Sequence, residues 1–227
     1  MSDTQRTYAS QQKLIAALRD PRCYPQTVKT VQVIETHISW VLLAGEYAYK
    51  IKKALDLGFL NYSGLDVRQS YCAEEIRLNR RTAPDIYLDV VSIGGSLEHP
   101  EFGAQPAIEY AVRMRRFAST DLMDRQLMQG KVTPRHIDAL AAVIATFHAS
   151  LPAAVPGSVF GTAASVHAAA LQNLEQLRSY LTGDADRDDI AALKAATEAE
   201  YSKCEDMFEA RRSQGFVREC HGDLHLG

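Results

Sequence analysis

The sequence predicts an α+β fold, a small β-rich lobe followed by an α-rich lobe. Three observations predict it. β-prone runs rich in Val, Ile and Tyr, the first of them alternating apolar with polar residues, are confined to residues 30–117. A single helical stretch, residues 65–82, interrupts them after the third run. Beyond residue 118 helical spacing dominates and little β signal remains. The 227 residues suffice for one large domain or two small lobes sharing a cleft, and 46% hydrophobic content supports a sizeable core.

Each element has a local cause. Residues 9–20 carry Leu14, Ile15, Ala17 and Leu18 at helical spacing, and Pro21 and Pro25 end that helix. Residues 30–35, TVQVIE, read as a half-buried strand. SWVLLAG and EYAYKIKK read as two further strands joined in a hairpin at Ala44-Gly45-Glu46. A loop, residues 54–64, leads to the helix at 65–82, which Pro84 stops. YLDVVSI and AIEYAVRMRRF are again strand-like, with a Gly/Ser turn between them. Residues 120–131 and 134–151 are helical, with Thr133 as N-cap and Pro134 at the first helical position. A loop at 152–161 separates these from helices predicted over 162–182 and 188–213. The organisation expected is therefore a helical extension over 1–24, a β-rich lobe over 25–116 and a helical lobe over 117–227.

Composition excludes several classes. The net charge of −3 and the lack of a long basic stripe argue against nucleic-acid binding. The clusters Arg77, Arg80, Arg81 and Arg113, Arg115, Arg116 read as solvated faces. Cys23, Cys72, Cys204 and Cys220 show no CxxC spacing, as expected of free thiols in a reducing cytoplasm. The polar N-terminus has no signal core, and no run approaches the roughly 20 apolar residues of a membrane span.

The chemistry-bearing segment is His221-Gly222-Asp223-Leu224-His225-Leu226-Gly227. Histidines four apart flanking an aspartate have the spacing of metal ligands on a helix, but Gly222 opposes a helix there. A loop aspartate is also what phosphoryl transfer to a hydroxyl requires, a carboxylate beside the acceptor proton. In YAYKIKK, Lys50 and Lys52 share one strand face while Ile51 and Lys53 take the other. Surface lysines on an edge strand are the plain alternative. Glu74 and Glu75 lie on the following helix.

HGDLHLG resembles the HGDLHxGN motif of the aminoglycoside phosphotransferase and choline kinase group, which has a protein-kinase-like two-lobed fold. The order Lys50, helix glutamate, strand, hinge-like run, helical lobe, HGD is also that group's order. The resemblance implies Asp223 as catalytic base and His221 as a structural loop residue. It implies Lys50, or Lys52, on the phosphates of ATP, held by Glu75, or Glu74. It places the adenine contact on the backbone near Met114 to Arg116, and it makes the His148 segment structural. Segments 35–63 and 74–91 are similar to a bacterial group of kinase-like proteins in which this domain is often followed by a P-loop ATPase domain. The expected activity is ATP- and Mg2+-dependent phosphoryl transfer to a small-molecule hydroxyl acceptor. The alternatives are a non-catalytic nucleotide-binding regulatory domain and, more weakly, a metal-dependent hydrolase using His221, Asp223 and His225.

The sequence departs from the pattern in two places. No Gly-rich loop joins the first two strands. At Glu35 to Trp40, either backbone N–H groups with the Thr36 and Ser39 hydroxyls cover the phosphates, or the segment is an ordinary turn with Trp40 in the core. The metal-binding Asn and Asp expected after Gly227 are not among the 227 residues, nor is a P-loop. The reading is thus of a chain truncated within the catalytic loop, inactive as it stands.

Overall fold

The computed structural model describes residues 3–58, 60–181 and 183–225. The chain forms two compact units, one running to Lys131 and the other from Val132 to His225.

The first unit is built on a six-stranded, wholly antiparallel sheet. Its strands are β1 (Val31–Glu35), β2 (Ser39–Ala44), β3 (Tyr47–Lys52), β4 (Tyr87–Gly95), β5 (Pro100–Phe102) and β6 (Glu109–Arg115). They lie in the order β1-β2-β3-β6-β4-β5. The β2–β3 hairpin turns at Gly45, whose φ of +63° is the left-handed conformation a tight two-residue hairpin turn demands.

Two helices cover the two faces of this sheet. Helix α1 (Asp3–Ala17) and the turn after it bring Leu14, Ile15 and Leu18 against Trp40, Leu42, Tyr49, Ile51, Ile93 and Ala111. Helix α2 (Leu65–Asn79) sets Cys72 and Ile76 against Val112, with Tyr87, Tyr110 and Met114 beside them. The period-2 alternation of β3 and β6 divides their side chains between these layers: Ile51 faces α1, whereas Lys50 and its register partner Val112 face α2.

Three differences from the sequence expectation have local causes. Helix α1 begins earlier than residue 9, because its polar first turns carry no apolar periodicity to announce them. The connection before β6 is more than a turn: Pro100–Phe102 pairs with the end of β4, a strand too short to show alternation. Residues 119–131 hold only a 3-10 turn at Ser119–Asp121 and the short helix α3 (Met123–Met128).

The second unit is helical, with α4 (Pro134–Ser150), α5 (Ala163–Tyr180) and α6 (Asp184–Ser213). Thr133 is the N-cap of α4, and its backbone N–H donates to His136 Nδ1 at 3.1 Å. The chain after α6 is tied back by an isolated bridge between Ala153 and Arg218. The Arg218 guanidinium donates to the carbonyls of His148, Ala149 and Leu151 at the C-terminus of α4, where the His148 carbonyl also accepts from the Leu151 N–H. The carbonyl of His148 is thus a fixed point of this unit. Among the described residues no helix is long and apolar enough to cross a membrane.

Candidate functional site

The face of the sheet beneath α2 gathers an unusual charge group. Lys50 Nζ lies 2.8 Å from Glu75 Oε1, and Lys52 Nζ lies 2.6 Å from Glu75 Oε2. The two lysines reach one carboxylate because residues i and i+2 of a strand share a face, and α2 crosses that face with Glu75 turned inward. Glu74, the alternative partner, instead faces solvent and pairs with Arg77 one turn on.

The two lysines are not equivalent. The Lys50 side chain is 30% exposed, that of Lys52 only 6%. Lys52 is held along its length: its ammonium lies 5.3 Å from the centre of the Tyr62 ring, and its carbonyl accepts from Gln11 Nε2. Burial pushes the Glu75 carboxyl up, but the two ammonium groups outweigh it and hold the group below the ordinary glutamate range. The surrounding Tyr62, Tyr87 and Cys72 are all pushed up by burial, and so stay neutral near pH 7. Lys53 points to the other face, 2.6 Å from Glu35 and 5.2 Å from the Trp40 ring centre.

Thr36 and Ser39 lie together in the turn between β1 and β2. The Thr36 hydroxyl donates to the Ser39 carbonyl and accepts from the Ser39 N–H, both at 3.0 Å. Ser39 is buried, and Trp40 packs in the core stacked on Tyr8. The Thr36 hydroxyl and the Ser39 backbone therefore lock a tight turn, while the buried Ser39 hydroxyl has no hydrogen-bond partner among the described residues.

Met114 lies within β6, in register with Ala48 on one side and Tyr87 on the other. The Arg116 N–H, one residue past that strand, donates to Glu46 O at 2.8 Å.

Asp223 belongs to the second unit. It is exposed in a non-helical segment where Gly222 has φ +77°, and its backbone N–H donates to His221 Nδ1 at 3.3 Å. No hydrogen bond or ion pair engages its carboxylate among the described residues, a state that suits a proton acceptor. His221, Asp223 and His225 do not assemble as a ligand set: the described residues contain no group of three or more side chains placed to hold a metal ion. The motif's last two positions, Leu226 and Gly227, lie outside the described residues.

One buried cluster escaped the sequence reading. Glu109, at the start of β6, accepts from Arg68 Nε of α2 at 2.9 and 3.0 Å and from Gln11 Nε2 of α1 at 2.6 Å. Arg68 also donates to the carbonyls of Tyr62 and Ser63, and Gln11 Oε1 accepts from the Ala54 N–H. The cluster fixes both ends of the 54–63 segment, whose Tyr62 lies against Lys52. The signal that could have found it is Gln11, a polar residue on the Leu14, Ile15, Leu18 stripe of the helix.

Comparison with known proteins finds distant relatives. The chain is 29% identical over 198 residues to the uncharacterized protein Rv2004c of Mycobacterium tuberculosis. It is equally similar to the uncharacterized protein Mb2027c of Mycobacterium bovis. The match covers 86% of this chain but only 38% of each relative. No family model matches the chain. No solved structure matches it either.

Proposed function

We propose that the first unit is the phosphate-binding lobe of an ATP-dependent small-molecule phosphotransferase with a protein-kinase-like fold, akin to the aminoglycoside and choline kinases. The observation that supports it is the pairing of Lys50 with Glu75, 25 residues apart, across the strand–helix layer. The Lys50 side chain is 30% exposed while its partner Glu75 is largely covered, so an anionic ligand can approach a lysine that is already oriented.

In this reading Lys50 contacts the phosphates of ATP and Glu75 fixes Lys50. Because the Arg116 N–H is spent on Glu46, adenine is met by other backbone groups of the segment that leaves β6 past Met114. Thr36 and Ser39 shape the turn at the β1–β2 end of the sheet. Asp223 accepts the proton of the acceptor hydroxyl as its oxygen bonds to the γ-phosphorus and the bond to the β-phosphate oxygen breaks. Mg2+, if bound with ATP, would neutralise phosphate charge. The relatives are more than twice as long as the matched segment, which leaves room in them for the P-loop ATPase domain expected as a fused partner.

The test is calorimetric titration of the 227-residue chain with ATP. Saturable binding is expected, weakened ~10- to 100-fold in Lys50→Met, the range of one charge-assisted hydrogen bond. Absence of saturable binding, or equal binding by Lys50→Met, overturns the reading. Binding without turnover in a full-length protein would assign the lobe a regulatory role instead.

A further inference from the structure

We infer that Lys52 is a positioning residue: it is the standing counter-ion of Glu75, and so frees Lys50 to turn its ammonium group toward a ligand phosphate. This rests on the phosphate-binding reading above and concerns how that site works.

A single lysine paired with a single buried carboxylate faces a conflict. When the lysine turns to an anionic ligand, the carboxylate loses its compensation, and a buried uncompensated charge is costly. Here the carboxylate has two partners, one on each oxygen. The partner on Oε2 is buried, sits against the Tyr62 ring and is anchored through its backbone to Gln11. The partner on Oε1 is the more exposed one. The geometry therefore divides the work. Lys52 stays and Lys50 is shared.

Charge bookkeeping agrees. The groups facing Glu75 are Lys50 and Lys52 from β3, Tyr62 from the connecting segment, Tyr87 from β4 and Cys72 from its own helix. The last three are neutral near pH 7, so the group carries one more positive than negative charge. The nearby Glu109 carboxylate is occupied by Arg68. The surplus charge is one an anionic ligand, such as a nucleoside triphosphate, neutralises without stripping Glu75.

The experiment has two arms. The first needs no ligand. In Lys50→Met, carboxyl 13C shifts of Glu75 are followed by NMR through pH. Glu75 is expected to remain ionised between about pH 6 and 8, because Lys52 still compensates it. Protonation of Glu75 within that range overturns the inference, whether or not the chain binds ATP.

The second arm measures ATP binding calorimetrically in buffers of different ionisation enthalpy. The wild type is expected to bind with almost no net proton uptake. Lys52→Met is expected to bind at least about tenfold more weakly at pH 8 than at pH 6, taking up close to one proton as Lys50 leaves Glu75. Lys52→Arg should restore the wild-type proton balance. Weak binding by Lys52→Met with no proton linkage would make Lys52 a direct phosphate ligand and overturn the inference. If the wild type fails to bind ATP, the phosphate-binding reading falls, and the ligand-free arm still decides whether Lys52 alone compensates Glu75.

Discussion

Arg68 Nε donates to both carboxylate oxygens of Glu109, and the two side chains are 3% and 1% exposed. This pair joins α2 to the first residue of β6, and through Gln11 it joins both to α1. Removing one partner leaves the other charge buried without compensation. Glu109→Leu or Arg68→Met is expected to destabilise the protein by about 3–5 kcal/mol. The double variant should cost less than the sum of the two. Urea unfolding of the four proteins of that cycle checks this; strict additivity would mean the pair does not act as a unit.

Glu75 gives the acid limb of stability a defined sign. Its folded-state carboxyl titrates below the ordinary glutamate value of 4.5 because two ammonium groups outweigh burial. The stabilisation is therefore fully present above that value and is lost as pH falls through the lower, folded-state value. Glu75→Gln should be less stable than wild type at neutral pH, and the gap should narrow below about pH 4. Chemical unfolding at a series of pH values reads it. A gap that widens on acidification would contradict the assignment.

Arg218 holds the segment that carries Asp223 against the end of α4. Each charge-assisted hydrogen bond of this kind contributes about 1.5–3 kcal/mol. Arg218→Ala should release residues 215–225 locally. Faster amide exchange and proteolytic cleavage confined to that segment are expected, with α5 and α6 protected as before. Unchanged protection would show that the Ala153–Arg218 bridge suffices without the side chain.

Cys72 is buried on the inner face of α2, and its thiol is pushed up to about 12 by that burial. The thiolate is the reactive form, so Cys72 should resist alkylation in the folded protein and react only on unfolding. Mass spectrometry of native and urea-treated samples distinguishes the cases. Rapid native labelling of Cys72 would mean that α2 opens readily from the sheet, and with it the Lys50–Glu75 layer.

Much of the fold was legible in the chain. TVQVIE by its alternation, and SWVLLAG and EYAYKIKK by their β-prone residues, mark three strands, and Gly45 marks the hairpin of the last two, because strand composition, periodicity and positive-φ turns are local properties. The long helices of the second unit were legible for the same reason, with Thr133 and Pro134 announcing α4. Pro100–Phe102 was not, since three residues cannot display a period and the strand exists only by pairing with β4.

The site divides the same way. Sequence alone determined that Lys50 and Lys52 share a strand face and that a glutamate-bearing helix follows. It left open which lysine and which glutamate meet, because that depends on the rotation of α2 over the sheet. Tertiary packing decided it: Cys72 and Ile76 turn into the layer against Val112, which carries Glu75 inward to both lysines and leaves Glu74 outside with Arg77. The Gln11–Glu109–Arg68 cluster was decided by tertiary structure too. Its members are 41 to 98 residues apart, and only a completed core brings charges that distant together while excluding the water that would otherwise solvate them.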